Sequence, residues 1–183
     1  MISNQKRTYL TEDEADRLIK AARAEGRQGV RDHALLLIAY RHGLRASEAL
    51  ALQWLQVDWK ASLLHIHRAK NGTPAVHPIQ GPTLRALREV RREFPDSAYL
   101  FQSERGSPLS PDMMARVVAR AGETAKLGFP VNPHMLRHGC GYRLANRGTD
   151  TRTIQAYLGH RNIQNTVRYT NLAPGAFRGL FTD

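Results

Sequence analysis

One cysteine, five lysines and no long apolar run mark this 183-residue chain by what it lacks. A lone Cys140 excludes an internal disulfide framework and any multi-cysteine zinc site, and it suits a reduced cytoplasm. The longest apolar stretch, Ala34 to Tyr40, falls well short of the roughly 18 residues that a membrane-spanning helix needs, so a membrane partner is not expected. The N-terminal Met1-Ile2-Ser3-Asn4-Gln5-Lys6-Arg7 has no apolar h-region, which argues against secretion. Acidic residues are also scarce: 16 Asp and Glu against 27 Lys and Arg leave a formal charge of +11. With 42% hydrophobic residues there is material for a real core, so the basic excess must sit on a folded surface. The polyanions of a cell are the partners of such a surface, nucleic acid foremost.

The kind and position of the charge add to this. Of the 27 basic residues 22 are Arg, whose planar fork grips phosphate bidentately where Lys offers a point charge; high genomic GC content would produce the same bias. From His134 to the end there are seven Arg and only two acidic residues, Asp150 and Asp183, so a polyanion is expected at the C-terminal quarter.

No repeat or Pro/Gly/Ser-rich linker divides the chain. Thr11-Glu12-Asp13-Glu14 reads as a capping box, with Ala15, Leu18, Ile19 and Ala22 at helical spacing behind it. Asp32 to His42 reads as a buried helix ended by Gly43, and a short helix begins near Ala46. The period then changes to two: Leu64, Ile66 and Arg68 alternate with His65, His67 and Ala69, and Asn71-Gly72 signals a tight hairpin turn before Pro74 to Ile79. With Leu55 to Trp59 this predicts three short antiparallel strands. Helices are predicted over 82–94, 110–126, 134–147, 150–157 and 162–169. The fold class is mainly α with one small antiparallel three-stranded β-sheet.

Five segments carry residues able to do chemistry. In Gly43-Leu44-Arg45-Ala46-Ser47-Glu48 an arginine lies between a helix-ending glycine and a serine able to cap the next helix; it suits an anionic ligand, or is simply a solvated arginine. Lys70, at the mouth of the Asn71-Gly72 turn, reads as a solubilising edge residue or as a mobile proton donor on a β-finger. After Pro133, the i, i+3, i+4 spacing puts His134, Arg137 and His138 on one face at the positive end of a helix, where a phosphate is favoured. Two histidines four apart also match a metal-ligand spacing, but Arg137 lies between them and no carboxylate accompanies them, so zinc is not expected. Leu158-Gly159-His160 says little by itself, and Tyr169 reads alone as an amphipathic packing residue.

Taken in order, Arg45 in Gly-Leu-Arg-Ala-Ser-Glu, Lys70 on a hairpin, His134-x-x-Arg137-His138, Leu158-Gly159-His160 and Tyr169 resemble the active-site signature of the tyrosine recombinases, the phage integrase family. The resemblance runs from about Thr8 to Thr170 and rests on six positions with their contexts. The stretches 39–45, 133–141 and 154–163 are most similar to the short recombinases that invert the type 1 fimbrial promoter switch. Only about ten residues precede the first helix, so the separate N-terminal DNA-clamping domain of most members is expected to be missing. Residues 1–183 then form one catalytic domain with a tail at 1–10. The segment 171–183 packs on a neighbouring protomer or folds back on its own domain.

The resemblance implies a division of labour. Tyr169 attacks the scissile phosphate to give a 3′-phosphotyrosine and a free 5′-hydroxyl, and with an ordinary pKa of about 10 it needs a base or strong positive charge nearby. Arg45 and Arg137 clamp the non-bridging oxygens, so no cofactor or divalent cation is implied. Lys70 protonates the leaving oxygen, His134 assists proton movement at the nucleophile, and His160 hydrogen-bonds the phosphate. His138 is a supporting partner, and Glu48 packs its helix or orients arginine. Reversal by a hydroxyl from another strand rejoins DNA without ATP. The implied partners are double-stranded DNA bearing inverted repeats, a homotetramer on synapsed DNA that associates weakly when free, and accessory DNA-bending proteins. The setting is the bacterial cytoplasm, at the nucleoid, with fimbrial phase variation as the outcome. A non-catalytic DNA-binding regulator, or the integrase of a mobile element, would share much of this pattern.

Overall fold

Side chains that satisfy free N–H groups set where the helices begin. In the computed structural model, which describes residues 7–69 and 72–171, Thr11 and Glu14 cap each other's backbone at the start of α1 (Glu12–Arg23). Ser110 caps α5 (Pro111–Thr124), Asn132 caps α6 (Pro133–Asn146) and Asp150 caps α7 (Thr151–Leu158). Proline opens α5 and α6, where its missing N–H costs nothing. The remaining helices are α2 (Gly29–Arg41), α3 (Ala46–Leu50), α4 (Gly81–Glu93) and α8 (Gln164–Thr170). No helix among the described residues is long and apolar enough to cross a membrane.

Helix α2 is the hub. Every residue from Ala34 to Tyr40 is buried, because α1, α4 and α6 pack around it and leave no polar face. A smaller cluster of Cys140, Ala145, Ile154, Leu158 and Tyr169 joins α6, α7 and α8. The sheet β1 (Val57–Asp58), β2 (Leu63–Ile66) and β3 (Ala75–Pro78) is antiparallel in chain order. Its register places Val57, Leu64 and His77 side by side, all three buried. His77 then joins three layers: its Nδ1 lies 3.3 Å from His42 Nδ1 at the end of α2, and its ring stacks 3.8 Å from that of Tyr157 in α7.

The sheet departs from the expected boundaries in three ways. Residues 54–56 form a 3₁₀ turn, stapled by Gln56 Nε2 donating to His65 O, so only Val57 and Asp58 remain of the strand expected over Leu55–Trp59. Pairing ends at Ile66↔Ala75, so Arg68 lies beyond β2 and the connection is longer than a two-residue hairpin. Asn71 lies outside the described residues, and the Gly72 N–H donates to Ala69 O at 3.2 Å, which closes a turn beyond the last paired residues. Glycine is needed there for closeness: a Cβ on Gly72 would sit 2.7 Å from Cβ of Arg68.

Gly141 plays the same part between α6 and α8, since an added Cβ would lie 2.7–2.9 Å from the Tyr169 ring. Helix propensity alone favours Gly→Ala by about 1 kcal/mol, whereas overpacking costs about 1–3 kcal/mol. Gly141→Ala is therefore expected to lower the urea midpoint. A midpoint equal to or above the parent's would contradict this packing.

Candidate active site

A single carboxylate organises the site. Glu48, in α3, is buried and bonded on both oxygens: Oε1 accepts from Arg45 Nη1 (2.6 Å) and the Ala69 backbone N–H (3.1 Å), while Oε2 accepts from the Arg45 backbone N–H (2.9 Å) and Arg68 Nη1 (2.9 Å). Arg137 Nη1 lies 3.9 Å from the same Oε2. Burial by itself would raise the Glu48 pKa, but the Arg45 N–H and the Arg68 and Arg45 guanidiniums hold it below the usual range. Three guanidiniums thus surround one carboxylate, and the surplus positive charge suits an anion.

Carbonyl oxygens hold the arginines in place. Arg137 donates to Gly43 O and to Leu158 O (2.8 Å), and Arg68 donates to Tyr157 O. Burial, with the like charge of Arg45 adding, pushes the Arg137 pKa down to about 10, still charged at neutral pH. The side chains of Arg68 and Arg137 are almost wholly buried, whereas that of Arg45 keeps 26% of its surface in solvent. Arg45 is therefore the guanidinium that an incoming anion meets first. Gly159 ends α7 in the left-handed conformation (φ 66°), and a Cβ there would strike the Arg68 side chain at 2.8 Å.

Tyr169 lies in α8, 1% exposed, with its hydroxyl 2.7 Å from His138 Nδ1. Its ring lies parallel to that of His160 at 6.3 Å and meets Tyr142 edge-on at 5.1 Å. His160 Nδ1 is 2.8 Å from the hydroxyl of the fully buried Thr166, which fixes the imidazole. Burial, reinforced by His134 and Arg168, lowers the His138 pKa to about 4; burial, reinforced by Arg137 and Arg45, does the same for His160. Both imidazoles are then neutral at pH 7, and His138 can accept the tyrosine proton. Burial raises the Tyr169 pKa, with Arg137 and Arg168 opposing.

Arg45, Glu48, Arg137, His138, His160 and Tyr169, far apart in sequence, are thus brought together. His134 reaches the group through its ring, edge-on to His138 at 4.5 Å. Lys70 lies outside the described residues, but its neighbour Ala69 is tied to Glu48, so the root of that loop stands at the arginine cluster. No group of three His, Cys, Asp or Glu able to hold a metal occurs among the described residues. Sequence reasoning missed Arg68 and Thr166. Arg68 carried a signal, a charge in inward register with Leu64 and Ile66, which demands a buried carboxylate partner. Thr166 carried none.

Two outcomes follow. Glu48→Gln leaves buried arginines without a counter-charge and is expected to cost about 3–5 kcal/mol in denaturant unfolding; a loss below about 1 kcal/mol would contradict the cluster's role. Burial also lowers the pKa of His42 to about 3 and of His77 to about 4, alongside His138 and His160. Between pH 6.5 and about 4 the unfolded chain takes up protons that the native state refuses, so this stability is complete above 6.5 and lost as pH falls. The unfolding free energy from urea titrations should drop between pH 7 and 5, by on the order of 1–2 kcal/mol per histidine; a flat profile would contradict neutral buried imidazoles.

Residues 8–175 match the model of the phage integrase family. The chain is 42% identical to the type 1 fimbriae regulatory protein FimB of Escherichia coli (strain K12), over 97% of this chain and 91% of that protein. It is 43% identical to FimE of the same strain, over 96% of this chain and 91% of that protein. Among solved structures, the XerA recombinase superposes with a TM-score of 0.82 at 29% identity, covering 96% of this chain and 64% of that one; this chain thus spans less than two thirds of its length. The XerH site-specific recombinase bound to its difH substrate shares the fold with a TM-score of 0.77 at 23% identity, over 90% of this chain and 50% of that one. The chain belongs to the phage integrase family, the tyrosine site-specific recombinases.

Proposed function

We propose that this protein cuts and rejoins duplex DNA through a covalent 3′-phosphotyrosine at Tyr169, and that its task is to invert a promoter element controlling fimbrial phase variation. The observation that carries the reading is the pairing of Tyr169 Oη with neutral His138 beside an arginine cluster built on Glu48. The scissile phosphate docks on Arg45 and Arg137, with His160 on a non-bridging oxygen. Tyr169 Oη forms a bond to phosphorus as its proton passes to His138 Nδ1, with the adjacent His134 as the next carrier. The bond from phosphorus to the 5′-oxygen breaks, and Lys70 gives that oxygen its proton. Charge that builds on the phosphorane oxygens is met by fixed guanidiniums, the kind of preorganised stabilisation that lowers a barrier most.

The resting geometry adds a requirement. Tyr169 is 1% exposed among Gly141, Tyr142 and His160, so the side chains around it have to open before its hydroxyl reaches a phosphate held on Arg45. Attack is thereby coupled to a local rearrangement in which the hydroxyl keeps His138 as the acceptor of its proton.

Each site cuts one strand, so exchange between two duplexes takes four copies, a homotetramer on two inverted-repeat sites. The assembly forms on DNA, with accessory DNA-bending proteins supplying the loop. The C-terminal segment that the sequence offers for contacts between protomers lies, from residue 172, outside the described residues. The identity to FimB and FimE over most of their length supports the fimbrial outcome.

A nicked duplex carrying the protein's own site tests the reading. The wild type is expected to leave a covalent adduct stable to denaturing gel electrophoresis, and Tyr169→Phe to leave none. Equal behaviour of the two proteins would overturn the catalytic assignment in favour of DNA binding alone.

A further inference from the structure

A second cavity of about 240 Å³ lies between the end of α2, the start of α4, α6 and Tyr157. It is lined by none of the residues placed in the reaction. Its volume is below the roughly 300–1,000 Å³ of drug-sized pockets, which limits an occupant to a small group.

Its lining is mixed, with Pro78, Leu144 and Cys140 beside several hydrogen-bond donors. Arg41, Arg143 and Arg147 converge on it. Glu12 pairs with Arg143 (3.0 Å) and Arg147 (2.6 Å), but the Arg41 side chain donates only to the Gln80 amide oxygen (3.0 Å) and has no carboxylate within 4.0 Å among the described residues. Burial, then the like charge of Arg143, pushes the Arg41 pKa down, with Asp16 opposing from beyond ion-pair distance. The 13-residue α4 starts here without a side-chain cap: Gln80 makes no capping bond and Pro82 brings no N–H, so the positive end of the helix dipole lies beside Gln80 and Thr83 in the cavity wall. Two further donors are unused. The hydroxyls of Tyr40 and Thr83, each residue 1% exposed and each lining the cavity, have no partner among the described residues. A buried hydroxyl left unpaired is costly, and two beside one cavity point to an acceptor that belongs there.

We propose that this cavity binds a phosphate-type oxyanion, held by Arg41, Arg143, the open start of α4 and the hydroxyls of Tyr40 and Thr83. Inorganic phosphate, the phosphoryl end of a small ester and a DNA backbone phosphate share this chemistry.

The test is thermal unfolding of the full chain in sodium phosphate against sodium chloride of matched ionic strength. It is run in the wild type and in an Arg45→Gln background, which weakens phosphate capture at the arginine cluster by removing its solvent-facing guanidinium and makes the result independent of whether Tyr169 cuts DNA. A saturable rise in Tm, specific to phosphate and retained in Arg45→Gln, is expected. Thr83→Val and Tyr40→Phe, which delete a hydroxyl and keep the packing, should each raise the half-saturating concentration about tenfold, the worth of one hydrogen bond to a charged group. Arg41→Gln should abolish the response. Adding a saturating duplex separates the sources: a retained phosphate response assigns the cavity to a free phosphate compound, and a lost one assigns it to the DNA backbone. No phosphate-specific shift in the Arg45→Gln background, or a shift untouched by Thr83→Val, Tyr40→Phe and Arg41→Gln, overturns the proposal.

Discussion

Three arginines held around one buried carboxylate are the constraint on which the rest of this structure depends. Glu48 fixes Arg45 from its own helix and Arg68 from the end of β2, and it stands 3.9 Å from Arg137 of α6, so that α3, the sheet and α6 meet at one charged point. Burying such a group is expensive, and a well-packed apolar core would be cheaper. What the cluster supplies is positive charge in a fixed place with one guanidinium, Arg45, left partly open to solvent. The fold supports that expense with backbone: the carbonyls of Gly43 and Leu158 accept from Arg137, and that of Tyr157 accepts from Arg68. Gly72 and Gly159 clear the space through which Arg68 passes.

The surroundings of Tyr169 follow a complementary logic. Where the arginine cluster concentrates charge, the pocket around Tyr169 removes it, keeping His138 and His160 neutral by burial and by the nearby arginines. A neutral imidazole can take a proton that an imidazolium would refuse, so the same arginines that suit an anion also help to keep these imidazoles neutral. The two halves are joined through α6, which carries Arg137 and His138 at successive positions, and through α7, whose C-terminal Leu158 binds Arg137 while His160 just beyond it faces the tyrosine ring.

Much of this was legible in the sequence because it is local. Capping residues and glycines placed the helix ends at Thr11, Ser110, Asp150 and Gly159 to within a residue or two, and alternation around Leu64 and Ile66 located β2. The mainly helical class with one small antiparallel sheet followed from those signals. What remained hidden depends on contacts between distant residues. Arg68 is defined by Glu48, twenty positions earlier, and the partner of Tyr169 is His138, 31 positions earlier; no spacing rule connects either pair. The Asn71-Gly72 dipeptide marked the connection between the antiparallel β2 and β3, and the Gly72 N–H closes a turn on Ala69 O; what it could not announce is the crowding of Gly72 against Arg68.

The central claim, that Glu48 acts through the arginines that its carboxylate places, is tested most directly by a double-mutant cycle. Glu48→Gln and Arg68→Met are compared singly and together for the rate of covalent adduct formation on nicked duplex, at a temperature where every variant is folded. If the two residues form one unit, the double variant is no slower than the slower single variant. Rate losses that simply multiply would show that they act separately and would contradict the account.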